Sequence, residues 1–306
     1  MAQENVGFIG LGFMGHGIAR NIVEKGYPLT ILARANRTPV DDLVGRGARE
    51  VGTVAEVGST SSVVFLCVTG SPQVEAIIRG PEGLAASMAA GSVIVDCSTS
   101  DPVSTMALAG ELEARGITLV DAPLGRTPKE AWEGTLDAMV GASDAMFARL
   151  KPLFDTWAGR VLHIGATGDG HRMKLLNNFL SLGYAALYAE ALTLSAKVGI
   201  SPARFDSVIR GGRMDCGFYQ TFMQWTLEGN RDAHKFSIAN AFKDLRYLES
   251  MADAAGVANP VGNAAKNAFA HAHAAAPQDF VPMLATHTGR VNGVDLMPKS
   301  TSGAKP

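Results

Sequence analysis

The sequence predicts an α/β protein: a Rossmann doubly wound parallel sheet followed by an all-helical C-terminal domain. Three observations carry this. An apolar run, Val6–Ile9, breaks into Gly10-Leu11-Gly12-Phe13-Met14-Gly15, which opens a helical pattern. The first half then alternates short apolar runs with helical stretches. After about Gly165 the alternation stops and long helical patterns take over.

The elements follow in order. Val6–Ile9 reads as a strand, and Met14–Lys25 as a helix that stops at Gly26. Leu29–Leu32 is a second strand. Val63–Val68, Val93–Val95 and Thr118–Val120 are continuous apolar runs, as expected of parallel strands covered on both faces. Helical stretches lie between them at Pro72–Ile78 and Pro102–Arg115, so the crossovers are right-handed. Leu136–Val140 and Val161–Ile164 extend the sheet. Met173–Val198 is one long run, rich in Ala and Leu and apolar almost all round, so burial is expected, in a domain core or on a partner subunit. Helices follow over Pro202–Ile209, Phe218–Leu227, Ile238–Ala255 and Pro260–Ala274. The expected domains are 1–164 (nucleotide-binding), 165–297 (helical, for substrate and dimerisation) and a flexible tail, 298–306.

Bulk properties exclude several classes. The chain has 306 residues, 47% of them apolar, with a formal net charge of −2. That balance argues against nucleic acid or an anionic membrane as partner, since both need basic surface. Cys67, Cys97 and Cys216 show neither a disulfide framework nor zinc spacing, which points to a reducing compartment. Cys67 and Cys97 lie in or at the end of apolar runs and read as core. No secretory signal opens the chain, and no stretch approaches the roughly 20 apolar residues of a membrane span. A cytoplasmic protein without a metal is expected.

Gly10, Gly12 and Gly15 follow a strand and open a helix, the context a dinucleotide grip needs. The first permits a tight turn, the second lets a pyrophosphate approach the backbone, and the third lets helix and strand pack closely. Leu11, Phe13 and Met14 complete the loop. The helix N-terminus then offers N–H groups and partial positive charge to the phosphates. An NAD enzyme usually ends its second strand on Asp or Glu. Here it ends Leu32-Ala33-Arg34-Ala35-Asn36-Arg37-Thr38, with no acid before Asp41. Arg34 and Arg37 suit a 2′-phosphate, helped by Asn36 or Thr38, so NADP is preferred and NAD stays open.

The chemistry is expected at the carboxyl edge of the sheet. Asp96-Cys97-Ser98-Thr99 ends one strand there, making Ser98 and Thr99 candidates to touch substrate or nicotinamide; a helix cap at Ser100 or Asp101 is the structural alternative. Asp121-Ala122-Pro123-Leu124-Gly125-Arg126-Thr127 ends the next. Gly125, Arg126 and Thr127 make a compact anion cradle of charge, hydroxyl and backbone N–H. Downstream, Gly168-Asp169-Gly170-His171-Arg172-Met173-Lys174-Leu175-Leu176-Asn177-Asn178 opens the long helix. A lysine in so apolar a helix, if desolvated, can exchange a proton with a substrate hydroxyl. Asn178 is four residues from Lys174, on the same face. His171 ranks low, as a residue lining the cleft. His271 and His273, two apart, share no helix face and show no metal spacing. Lys243-Asp244 by itself reads as a surface ion pair worth little.

Together these residues resemble the β-hydroxyacid dehydrogenase family, which includes 3-hydroxyisobutyrate dehydrogenase, tartronate semialdehyde reductase and sulfolactaldehyde reductase. The resemblance runs from Gly7 to about Gly256. Its blocks are Gly-Phe-Ile-Gly-Leu-Gly-Phe-Met-Gly at 7–15, Asp-Cys-Ser-Thr at 96–99, Asp-Ala-Pro at 121–123 with Gly134-Thr135-Leu136 and Val140-Gly141, the glycine–lysine–asparagine block at 168–178, and Lys243-Asp244-Leu245. It implies Lys174 as the catalytic lysine, Asn178 as its substrate-holding partner, Lys243 near the nicotinamide, and Val68, Thr69, Gln73 and Thr99 in contact with cofactor. It also implies a homodimer or homotetramer. Where the common family pattern has Ser-Gly-Gly, this chain has Gly125-Arg126-Thr127, which resembles the sulfolactaldehyde reductase branch.

The expected activity is interconversion of a small anionic 3-hydroxy acid, or sulfonate analogue, with its aldehyde or ketone, using NADP or NAD. The alternatives are an imine reductase on the same architecture, which usually lacks the lysine, and a nucleotide-binding regulator, which needs neither Lys174 nor Asn178.

Overall fold

The computed structural model describes residues 3–32 and 35–298. The tail beyond Pro298 and Arg34 therefore lie outside the described residues. The chain divides into two units, 1–174 and 175–306, so the division falls inside the long helix, just after Lys174.

The first unit follows the alternation read from sequence. Strand β1 (Val6–Ile9), helix α1 (Gly15–Glu24), β2 (Leu29–Leu32), α2 (Arg37–Gly45), β3 (Arg49–Val51), α3 (Val54–Thr60) and β4 (Val63–Leu66) form its first half. Then come α4 (Ser71–Arg79), α5 (Leu84–Ser87), β5 (Val93–Asp96), α6 (Pro102–Glu113) and β6 (Thr118–Asp121). The order β3-β2-β1-β4-β5-β6 is all parallel. Chain reversal then adds β7 (Leu124–Gly125), α7 (Pro128–Glu133), β8 (Leu136–Gly141), α8 (Asp144–Phe154) and β9 (Ala158–Gly165). β8 runs antiparallel to β6 and β7, and β9 runs parallel to β8. The expected extension of the sheet is there, but its direction reverses after β6.

Period-two alternation splits the strand residues between two cores. Val6, Phe8, Val63, Phe65, Val93, Val95 and Val120 face one helical layer. Ile9, Val64, Leu66, Ile94 and Leu119 face the other. Both layers are needed, because these strands carry no polar face. Phe65 sits at the centre of the first core. It stacks on Phe8 at 6.1 Å and meets Phe154 and Trp157 edge-on, each at 6.3 Å. Cys97 is buried and Cys67 partly so. Burial pushes the Cys67 thiol up to about 12 and the Cys97 thiol well above its usual range, so both are packing groups, as expected. No disulfide joins the three free cysteines.

The long helix, α9, spans Asp169–Lys197. After it come α10 (Pro202–Ile209), α11 (Gly217–Glu228), α12 (Ile238–Ala254), α13 (Pro260–Ala275) and α14 (Leu284–Val291). From α9, Leu182, Ala185, Ala189 and Leu192 join a core with Tyr219, Phe222, Leu245 and Phe269. Burial all round is not what the structure shows. Leu180, Leu187 and Leu194, seven residues apart, are 61%, 62% and 64% exposed. One helix turned on a single core can bury one face only. By length and composition α9 is also apolar enough to cross a membrane, against the sequence expectation, though its inner face is core.

Phe65→Ala is expected to destabilise the first unit by about 3–5 kcal/mol, the usual cost of emptying a buried aromatic site. Urea unfolding followed by tryptophan fluorescence reads this through Trp157, which lies against Phe65.

Candidate active site

The glycine loop is shaped by contacts that exclude side chains. Gly10 has φ +109°, and a Cβ there would lie 2.1 Å from the Cys67 carbonyl oxygen. A Cβ on Gly15 would meet the Gly10 carbonyl oxygen, at 1.9 Å. A Cβ on Gly12 would meet nothing within 4 Å, so the backbone faces open space where a pyrophosphate must approach. The N-terminus of α1 has no side-chain cap. Its N–H groups are the donors a phosphate uses. The loop fits a dinucleotide. Leu11 is buried under it, Met14 is half-buried, and Phe13 is 90% exposed. In the β4–α4 connection Val68 is half-buried and Thr69 exposed, and Gln73, in the first turn of α4, is exposed.

At the end of β2 the side chains are already engaged. Asn36 caps α2 by accepting the Thr38 N–H. Arg37 makes a bidentate pair with Glu50, at 2.5 and 2.9 Å, and reaches Asp41 at 2.8 Å. These exposed carboxylates compete with any 2′-phosphate for that guanidinium.

Two acids end the neighbouring strands β5 and β6. Asp96 accepts the Ser98 N–H at 2.8 Å and the Ser100 hydroxyl at 2.7 Å. Asp121 accepts the Gly168 and His171 N–H groups at 2.6 and 2.7 Å. This fastens the glycine-rich lead-in of α9 to the sheet edge. Gly170 is part of the fit: a Cβ there would lie 2.3 Å from the Met139 carbonyl oxygen and 2.8 Å from Asp121. Burial holds the Asp121 carboxyl above its usual range, while the facing His171 and the N–H donors pull it back. Ser98 is buried, and its hydroxyl accepts the Val68 N–H at 3.0 Å. The structure thus gives Ser98 a framework role, tying β4 to β5. Asp101, of the two candidate caps, is the one that caps α6. Thr99 and Lys174 are half-buried.

Gly125 ends β7, and Arg126 and Thr127 follow it. Arg126 has φ +77°, the only described non-glycine residue with positive φ. Its Nε donates to Asp137 at 3.0 Å. Thr127 caps α7: its hydroxyl and N–H both donate to Glu130, and the hydroxyl accepts the Lys129 N–H. So the structure exposes the arginine and commits the threonine to a capping box. In the second unit, Asn178 is buried and donates to Asp244 at 2.7 Å, and Lys243 lies 3.2 Å from the other oxygen of that carboxylate. Lys243 also lies over the Tyr247 ring, at 5.2 Å. Asp244 is buried, which a surface ion pair is not. Among the described residues no cluster of His, Cys, Asp or Glu could hold a metal.

Sequence reasoning missed the framework beneath the site. Asp96, Asp121 and Asp244 hold Ser98, His171 and Asn178, and His171 is fully buried. Two acids at adjacent strand ends were the available signal.

The family described as the NAD-binding domain of 6-phosphogluconate dehydrogenase matches residues 5–165. A second, the NAD-binding domain of NADP-dependent 3-hydroxyisobutyrate dehydrogenase, matches 168–285. This protein belongs to the β-hydroxyacid dehydrogenase family. 3-Hydroxyisobutyrate dehydrogenase of Pseudomonas aeruginosa is 30% identical over 284 residues, 90% of this chain and 95% of that one. 2-(Hydroxymethyl)glutarate dehydrogenase of Eubacterium barkeri is 36% identical over 206 residues, 67% of each chain. 3-Sulfolactaldehyde reductase of Escherichia coli is 27% identical over 270 residues, 88% of this chain and 90% of that one. Among solved structures, 3-hydroxyisobutyrate dehydrogenase of Mycobacterium tuberculosis with L-serine has a TM-score of 0.83 at 25% identity, covering 93% of this chain and 98% of that one. An imine reductase of Myxococcus stipitatus, 18% identical with a TM-score of 0.59 over 94% and 99% of the chains, shares the fold alone. The family members are NAD(P)-dependent oxidoreductases acting on CH–OH groups of small hydroxy acids.

Gly10→Ala is expected to weaken NADPH binding at least tenfold, about 1.4 kcal/mol or more. Quenching of protein fluorescence on titration with NADPH measures it; affinity within twofold of wild type contradicts the role given to this loop.

Proposed function

We propose that this dehydrogenase interconverts a small anionic 3-hydroxy acid, or its sulfonate analogue, with the corresponding aldehyde or ketone, that Lys174 carries the proton, and that NADP is preferred to NAD. The observation that carries the reading is the anchoring of the first turn of α9 on Asp121, which puts Lys174 on a rigid element three residues beyond His171. A proton carrier must be held within hydrogen-bond reach of its target, and a helix pinned at its first turn does this.

A bound nicotinamide would supply or accept the hydride. Lys174 does the matching proton work: as an ammonium it donates to the forming alkoxide in reduction, and as a free amine it takes the hydroxyl proton in oxidation. Asn178 orients the substrate, its own orientation fixed by Asp244. Arg126, steered through Nε by Asp137, presents its guanidinium fork to the substrate anion. Gly125 and Thr127 shape that loop, Thr127 through its capping box. Ser98 supports the Val68 side of the cofactor loops, and the family resemblance assigns Lys243 to the nicotinamide. Gly10, Leu11, Gly12, Phe13 and Met14 hold the pyrophosphate, with Val68, Thr69, Gln73 and Thr99 along the rest of the cofactor. Arg37 shares its charge with Glu50 and Asp41, so the NADP preference rests chiefly on Arg34. The exposed stripe of Leu180, Leu187 and Leu194 suits a homodimer or homotetramer. Three free cysteines suit the cytoplasm.

Lys174→Ala is expected to lower kcat by about 10²–10⁴-fold while leaving NADPH affinity unchanged. The assay follows NADPH absorbance with sulfolactaldehyde, succinic semialdehyde, tartronate semialdehyde and methylmalonate semialdehyde. Preference for sulfolactaldehyde supports a sulfonate clamp at Arg126. Preference for a carboxylate makes the loop a general anion cradle, and unimpaired turnover by the variant removes Lys174 from the mechanism.

Arg34→Ala is expected to reduce the NADPH-to-NADH ratio of kcat/KM by about tenfold, the worth of one charge-assisted contact, and Arg37→Ala by less. A larger effect at Arg37 would show that phosphate displaces Glu50.

A further inference from the structure

His171 is fully buried; its ring bonds to two separate elements and its backbone N–H to a third. Nε2 lies 3.1 Å from the Ser98 carbonyl oxygen in the loop after β5. A carbonyl only accepts, so Nε2 carries the hydrogen. Nδ1 lies 2.8 Å from the Thr105 hydroxyl on α6, and that hydroxyl is also 3.1 Å from the Asp101 carbonyl. The backbone N–H of the same residue is held by Asp121 at the end of β6. Two buried carboxylates face the ring: Asp96 Oδ2 is 3.7 Å from Nε2, and Asp121 Oδ2 is 4.0 Å from Nδ1. These are the titratable groups turned toward it from β5 and β6.

An ordinary core histidine needs one partner. This one joins a helix, a strand-end loop and a second helix at the base of the turn that ends in Lys174. Residues three apart on a helix are neighbours on one face, so the ring fixes both the height and the rotation of the turn carrying that lysine. The same ring holds the Ser98 carbonyl, one residue before Thr99. We propose that His171 is a positioning residue for the reaction: by bridging Ser98 and Thr105 it sets Lys174 against the 96–100 loop, without itself touching substrate. This rests on the reading of Lys174 as the proton carrier. A misplacement of 1 Å is enough to cost such a site about 100-fold in rate.

The test compares His171→Leu with His171→Gln. Leucine fills the space but donates nothing, whereas the glutamine amide can put an N–H where Nε2 stands. His171→Leu is expected to lower kcat by about 10–100-fold with NADPH affinity within twofold of wild type, and His171→Gln to recover most of that loss. A purely structural role would lower thermal stability without splitting kcat from cofactor affinity and without rescue by glutamine. If His171→Leu does not fold, Thr105→Val decides: it removes the Nδ1 partner, along with that hydroxyl's local bond to the Asp101 carbonyl, and should lower kcat about fivefold or more, in proportion to a few tenths of an ångström of freedom. Wild-type kcat in a folded His171→Leu or, failing that, in Thr105→Val overturns the proposal, as does loss of kcat that glutamine leaves unrelieved. Wild type and Lys174→Ala are run alongside. An inactive wild type or an active Lys174→Ala defeats the reading of Lys174; an active wild type, a dead Lys174→Ala and a normal His171→Leu defeat the positioning role alone.

Discussion

Asp121 accepting the N–H groups of Gly168 and His171 is the interaction on which the candidate site depends. A helix begins with N–H groups that its own turns cannot satisfy, and a carboxylate is their strongest neutral-pH partner. Placing that carboxylate at the end of a parallel strand converts a generic helix cap into a registration device. The position of the first turn of α9 is then set by a fully buried group of the sheet. The desolvation this imposes on Asp121 is only partly offset by two short N–H contacts and the imidazole facing it. The close approach also explains Gly170, where a Cβ would collide with Asp121 and with the backbone of β8.

Around this anchor the strand ends are tied to each other in series. Asp96 shapes the turn through Ser98 and Ser100, Ser98 accepts the Val68 N–H, and His171 donates to the Ser98 carbonyl. Each link satisfies a polar group that would otherwise be buried unpaired, so each loop holds its neighbour in place. The anion loop is fixed independently. Trp132 of α7 lies between Arg20, whose guanidinium is 4.2 Å from its ring, and His16 of α1. The helix that follows the Arg126 loop is thereby packed on the helix that follows the glycine loop.

Most of the sheet was legible in the sequence because strands covered on both faces leave continuous apolar runs. Val63–Leu66 and Val93–Asp96 are of this kind. What hydropathy does not carry is direction: nothing in Leu136–Gly141 says that it runs antiparallel to β6. The edge strand Arg49–Val51 was also silent, since two of its three residues are exposed and charged. In the site, the glycine loop was readable because its signal is local. The contacts of Asp121 with residues 47 and 50 positions away were not, because only folding brings them together. The resemblance to known dehydrogenases pointed at Lys174 and Asn178 but was silent on what holds them. The engagement of Arg37 by Glu50 was invisible for the same reason, whereas the capping box of Thr127 and Glu130, three residues apart, was there to be read and was passed over.

Arg126 occupies left-handed backbone space that glycine enters freely and a residue with a Cβ does not. The Asp137 carboxylate meets its side chain there. This chain thus keeps an arginine where conformational energy alone favours glycine. Strain of this kind is a place where selection for stability and selection for chemistry pull apart. A programme that raised the melting temperature by relaxing the backbone at 126 would remove a cation together with the strain, and its most stable product would be a different reagent.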